Sequence, residues 1–124
     1  MKKITIDRAT WLRGQDEGAL LRGGKRCCLG FLGNQLGVPD SACVGRGLPS
    51  EVEGYSDMWP RRLYERAGED ANRCSRYKLS GLPTSQWQNI LASINDRTDI
   101  DDTERELFVA DIFREQLGLD VEFV

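Results

Sequence analysis

The chain has 124 residues, 40% hydrophobic and 30% charged, with a net charge of −3, which excludes a disordered polymer and predicts one core in a single domain spanning residues 1–124. It contains no histidine, and that absence removes Ser-His-Asp and Cys-His nucleophilic chemistry, histidine general-base catalysis and every His-containing zinc site. No apolar stretch of signal-peptide length follows the lysines of "MKKITIDRATW" and no run is long enough to span a bilayer, so a cytoplasmic location, with no membrane partner, is expected.

Taken in chain order, "KITI" alternates with Ile4 and Ile6 on one face and reads as a strand. Asp7 is placed to cap a brief helical turn through "RATWLRG", which Gly14 ends. "ALLRGGKR" reads as an extended segment turning at Gly23 and Gly24. A helix over residues 27–36 follows, stopped by Gly37 with Pro39 just beyond. Residues 38–56 carry Pro39, Gly45, Gly47, Pro49 and Gly54 and read as loop, with a short helical turn near Ser50–Glu53. A helix is expected from about Asp57 to Ala67 with Pro60 in its first turn, then an irregular connection over 68–83. Thr84 or Ser85 caps a helix in which Trp87, Ile90, Leu91 and Ile94 recur at helical spacing. Asp101 or Asp102 caps a second, with Phe108, Val109, Ile112 and Phe113 as its buried stripe and Gly118 as its end. "LDVEFV" alternates again and can pair with "KITI". The expected fold is α+β, a compact domain of three to four helices with a small sheet that includes the N- and C-terminal strands and the "ALL" segment. Its expected core is Trp11, Leu32, Leu36, Trp87, Ile90, Ile94, Phe108 and Ile112.

The segment "GKRCCLGFLGNQLG" carries the most suggestive chemistry. Projected on a helix, Cys28, Leu29, Leu32 and Leu36 share the core side, while Cys27 falls beside Asn34 at its edge. Gly30, Gly33 and Gly37 form an adjacent stripe that suggests close approach of another backbone. Cys27, near a helix N-terminus and flanked by Lys25 and Arg26, is a candidate thiolate for an enzyme or redox switch; as small buried hydrophobes, the two cysteines are simply core. No disulfide is expected, since adjacent cysteines are poorly placed to bridge and a reducing compartment keeps thiols free. Cys27, Cys28, Cys43 and Cys74 lack the C-x₂-C knuckle of a zinc site, and "NDRTDIDDTERE" lacks the glycine of an EF-hand loop, so neither a metal nor a cofactor is expected.

Two charged regions remain as candidate surfaces. Residues 1–94 carry 14 Lys/Arg against 10 Asp/Glu, and residues 95–124 carry 3 against 10. The acidic quarter makes Asp99, Asp101, Asp102, Glu106 and Asp111 candidates for contacting a basic protein surface; a solvated helix whose acids serve its own N-terminus is the simpler reading. In the Arg-rich segment 61–78, Arg61, Arg62, Arg73 and Arg76 lie among aromatic residues and are candidates for nucleotide or nucleic-acid contacts; a solvated helical face with salt bridges is the simpler reading.

The succession "GALLRGGKRCCLGFLGNQLGV", "GLPSEVEGY" and "LASIND" resembles a group of small, largely uncharacterised proteins of bacteriophages, prophages and their hosts, in which a CCLG(V/F)L segment precedes LPxEV and LxxIND segments. The matching positions are Leu20, Cys27, Cys28, Leu29, Gly30, Leu32, Leu48, Pro49, Glu51, Val52, Leu91, Ile94, Asn95 and Asp96. The resemblance implies a biological setting and no mechanism. In that setting, and with no catalytic constellation in the sequence, the expected function is that of a phage or prophage accessory protein that binds a host protein without catalysis, such as an inhibitor of a bacterial immune system. The alternatives are a thiol-dependent enzyme or redox switch using Cys27, and a nucleotide or nucleic-acid binding module. Asn95 and Asp96 end a helix, where short polar side chains bond nearby backbone; their meeting Cys27 in one pocket would favour an active site.

Overall fold

The structure is a computed structural model that describes residues 2–15, 18–69 and 84–124. The two ends of the chain meet first. β1 (Lys2–Ile6) and β2 (Leu119–Phe123) form a two-stranded parallel sheet in the register Lys2↔Leu119 through Ile6↔Phe123. The alternation of both segments sets Ile4, Ile6, Leu119, Val121 and Phe123 on one face, and Phe123 stacks on Trp11 with centroids 5.2 Å apart.

Four α-helices complete the α+β fold among the described residues: α1 (Cys28–Gln35), α2 (Asp40–Cys43), α3 (Trp87–Asp96) and α4 (Asp102–Leu117). Of the two candidate caps of α4, Asp101 takes the role, its carboxylate accepting the Glu104 N–H at 2.8 Å. Gly118, left-handed at φ 67°, ends α4 and turns the chain straight into β2. α4 packs on β2, α3 on both α1 and α4, and α1 on β1, so one hydrophobic cluster runs from the sheet through all three long helices.

Glycine permits two close approaches on α1. A Cβ on Gly30 would lie 2.0 Å from the Leu20 carbonyl oxygen, so here a second backbone does press on the helix. At Gly33 the neighbour is a side chain instead: a Cβ would lie 2.2 Å from the Trp59 ring, whose Nε1 donates to the Leu29 carbonyl at 3.1 Å.

The structure departs from several sequence expectations. The helix expected over 57–67 is two 3-10 turns, Ser56–Met58 and Arg61–Tyr64, separated by extended Trp59 and Pro60. A proline disfavours helical geometry in the residue before it, and the break lets Trp59 turn inward. Trp11 is not in a helical turn; it is extended and bridges Arg26. Gln86, not Thr84 or Ser85, precedes α3, because Gln86 is bridged to Arg66 and the Ser85 carbonyl accepts from Ala67. The "ALL" segment stays outside the sheet and bridges Val44 through Leu21. Residues 40–43, read as loop, form α2. Leu36 is only partly buried, while Trp59 and Leu63 join the core; Phe113 is buried with the rest of its stripe, as expected.

Gly30→Ala is expected to destabilise the protein by about 1–3 kcal/mol, although alanine is the better helix former, because its methyl has to displace the Leu20 backbone. Urea unfolding of the variant checks this, and an unchanged or raised midpoint would show that the approach relaxes at no cost.

Candidate functional site

The cysteine segment and the "ND" pair do meet, in the interior. Asn95 lies in the last turn of α3 with no exposed surface. Its Oδ1 accepts from Trp11 Nε1 at 2.8 Å and from the Cys28 backbone N–H at 3.0 Å. Its Nδ2 donates to the Leu12 carbonyl at 2.9 Å and to Asp96 Oδ1 at 2.9 Å. Two donors and two acceptor positions are all used. The Cys28 N–H is one of the donors that a helix start leaves without an intrahelical partner. Cys27, at the N-cap, supplies no side-chain capping bond, and Asn95 caps α1 from across the core.

The backbone of this turn is held as firmly. The Asn95 carbonyl accepts from the Gly14 N–H at 2.9 Å and from Arg105 Nη1 at 3.0 Å. Arg105, 2% exposed, also donates from Nη1 to the Ile94 carbonyl at 2.7 Å and from Nη2 to that of Ile100 at 3.2 Å. A guanidinium thus closes the C-terminal end of α3, where the helix dipole favours a cation, and Asp102 pairs with it at 3.3 Å. Asp96 accepts from Asn95 and from the Gly18 N–H, and burial pushes its carboxyl above the usual range. A Cβ on Gly18 would fall 2.1 Å from Asp96 Oδ1, so a side chain at this position would have to displace the carboxylate.

Both thiols are buried, Cys27 at 3% exposure and Cys28 at 0%, as the reading of the pair as small buried hydrophobes expects, and Cys27 lies within the core, not at its edge. Burial pushes the Cys27 thiol up to about 12, outweighing the N–H groups of Gly30 and Leu29 that favour the thiolate, and Asp96 adds to the rise. Burial pushes Cys28 well above its ordinary value too. A thiol of that pKa is ionised to only about one part in 10⁵ at neutral pH. The arrangement anchors an extended strand, a helix start and a helix end to one another; Cys27 contributes volume and a protonated sulfur. Cys43 is also a free, buried thiol, and Cys74 lies outside the described residues. Among the described residues no cluster of potential metal ligands occurs, and no helix is long and apolar enough to cross a membrane.

The acidic candidates each have a partner within the chain. Asp99 pairs with Arg97, Asp101 caps α4, Asp102 meets Arg13 at 3.2 Å as well as Arg105, Glu106 accepts two bonds from Arg8 at 2.7 Å, and Asp111 pairs with Arg114. Of the arginine candidates, Arg62 binds Glu65 and Gln116 and lies over the Trp87 ring. Arg61 is exposed and, with Asp57 and Tyr64, lines an open cavity of about 460 Å³. Arg73 and Arg76 lie outside the described residues. Sequence reasoning missed Trp11 and Arg105 as parts of the buried node. Arg105 had a signal, since it shares the helical phase of Phe108, Val109 and Ile112 and so sits on the apolar face of α4.

No family model matches the chain, and no curated protein or solved structure matches it.

Two pH-dependent outcomes follow from the node. Asn95→Asp turns an oxygen toward the Leu12 carbonyl and the Asp96 carboxylate. It should cost about 2–4 kcal/mol at pH 7, with part regained below about pH 5 when a proton bridges the carboxylates. Denaturation at both pH values measures it; an equal loss at each would show that the clash is not electrostatic. At alkaline pH the unfolded chain loses the Cys27 proton near the ordinary thiol value, whereas the folded chain keeps it to about 12. With fewer protons on the unfolded state, stability falls as pH rises through that window, by about 1.4 kcal/mol per unit from this thiol. The wild type should therefore lose stability more steeply than Cys27→Ala above pH 9, and identical slopes would show that Cys27 titrates alike in both states.

Proposed function

We propose that this protein is a phage or prophage accessory protein that works by binding a host protein without catalysis, a class of role that includes inhibition of a bacterial immune system. One observation carries the reading: the thiol with the strongest claim to reactivity is buried and protonated to about 12, and the helix start it precedes is capped by a fully bonded asparagine. Catalytic thiols sit in accessible electropositive surroundings; this one faces a carboxylate. The positions that carry the resemblance act on the fold in the same way. Asn95 caps α1, Gly30 admits the Leu20 backbone, and Glu51 Oε1 accepts from the N–H groups of Gly47 and Leu48 to close their loop. Such a protein presents its specificity on the surface that this interior holds in shape.

The nucleotide reading keeps one supporting feature, Arg61 beside Tyr64 at the open cavity. Asp57 in the same lining opposes an anion there, and Tyr64 is committed to the Ser56 carbonyl at 2.6 Å.

Tagged protein recovered from its host, as wild type and as Cys27→Ser, tests the proposal. Both should retain the same co-eluting host protein and the same biological effect. Loss of the effect in a Cys27→Ser protein that remains folded would overturn the non-catalytic reading in favour of thiol chemistry.

A further inference from the structure

The two outer edges of the small sheet are treated differently. Val124 donates to the Ile6 carbonyl at 3.0 Å and accepts from the Arg8 N–H at 2.9 Å. Successive strand residues alternate their hydrogen-bonding side, so Ile4 and Ile6 of β1 face β2, while Thr5 faces outward. That outward position is sealed: Gln35 Nε2 donates to the Thr5 carbonyl at 2.7 Å and Gln35 Oε1 accepts the Thr5 N–H at 2.9 Å. A side-chain amide thus stands in for a neighbouring strand. By the same alternation Leu119, Val121 and Phe123 turn their backbone groups away from β1. Arg8 Nη1 reaches the Phe123 carbonyl at 3.3 Å. Among the described residues the Leu119 carbonyl, the Val121 N–H and carbonyl and the Phe123 N–H have no partner.

Resting on the reading of this protein as a binding domain, we propose that the outer edge of β2 is its docking strand, and that it takes an extended segment of a partner protein in which Lys or Arg alternates with apolar residues. Added strands gain affinity from main-chain bonds and specificity from alternate side chains. On one face of β2 the exposed side chains are Asp120 and Glu122, the latter shared with Lys3 at 2.8 Å, and they call for cations on the incoming strand. On the other face Val121 and Phe123 are only half-buried and offer apolar surface to an apolar neighbour. The same charges reject a second copy of this chain. An antiparallel pairing centred on Val121 would set each Asp120 opposite a Glu122, and like charges directly opposite are destabilising. The edge therefore selects against itself and for a basic strand.

The test uses the whole protein and a short capped peptide alternating valine with lysine. Amide exchange by NMR should show Val121 and Phe123 protected on adding the peptide. The same peptide N-methylated on its pairing amides, and one alternating valine with glutamate, should leave both unprotected. In the double variant Asp120→Lys with Glu122→Lys, affinity for the lysine peptide should fall by about tenfold and the glutamate peptide should bind in its place. Equal binding of the N-methylated peptide, protection confined to other elements, or no protection would overturn the proposal. Self-association that protects the same amides would assign the edge to a second copy and overturn the basic-strand occupant. A host partner still captured by the double variant with unchanged affinity overturns the docking strand and leaves the binding reading standing. Loss of biological effect in folded Cys27→Ser, with β2 still protected by peptide, does the reverse.

Discussion

The side chain of Asn95 is the constraint on which the rest of the architecture turns. A buried primary amide that lacks even one partner incurs the desolvation cost of the unmade bond in full. Here all four of its bonds are made, and besides the neighbouring Asp96 they reach two separate stretches of chain: the extended segment at Trp11 and Leu12, and the start of α1 at Cys28. Apolar contacts among Trp11, Leu29, Ile94 and Phe113 tolerate sliding; directed bonds to a single amide do not. We read Asn95 as fixing the register of α1 against α3, a role that buried polar groups fill in other packed cores.

Arg105 and Asp96 extend that constraint in opposite directions. The guanidinium ties α4 to the end of α3 through three carbonyls, and α4 leads directly through Gly118 into β2. The carboxylate ties Gly18 to the same turn and keeps a negative charge beside the thiols. The sheet edge is thereby connected to the node by a short, stiff path: Asn95 carbonyl, Arg105, α4, Gly118, β2. A strand held at one end by a capped helix and on one side by β1 is pre-organised, so an added strand would find its partner already extended.

Periodicity made the long elements legible. Trp87, Ile90, Leu91 and Ile94 marked α3, Phe108, Val109, Ile112 and Phe113 marked α4, and the alternation of "KITI" and "LDVEF" marked strands that do pair. What periodicity cannot express is where a polar side chain bonds. Asn95 looked like an ordinary helix terminator because its partners lie 67 and 83–84 residues away in sequence. The helix that spacing predicts over 57–67 fails at Trp59 and Leu63 for a local reason: helical spacing does not express the extended geometry that Pro60 imposes on Trp59. Cys27 was misplaced because the projection treated it as a helical residue, whereas as N-cap it has extended geometry (φ −74°, ψ 175°) and its side chain leaves the helical phase.

The charge gradient along the chain has a different meaning once folded. Lys3, Arg8 and Arg13 from the N-terminal segment meet Glu122, Glu106 and Asp102 from the acidic quarter. Each of these exposed pairs contributes little to stability, about 0–1 kcal/mol. Together they cancel at short range much of the field that the sequence assigns to the C-terminal residues, and a Debye length of about 8 Å at physiological salt screens what is left. Long-range steering by a broad acidic face is therefore weak. Glu122 is shared with Lys3, so the acidity that stays beside the outer edge of β2 is chiefly that of Asp120, and on the docking-strand proposal the shape of the edge comes first and charge selects among strands that fit it.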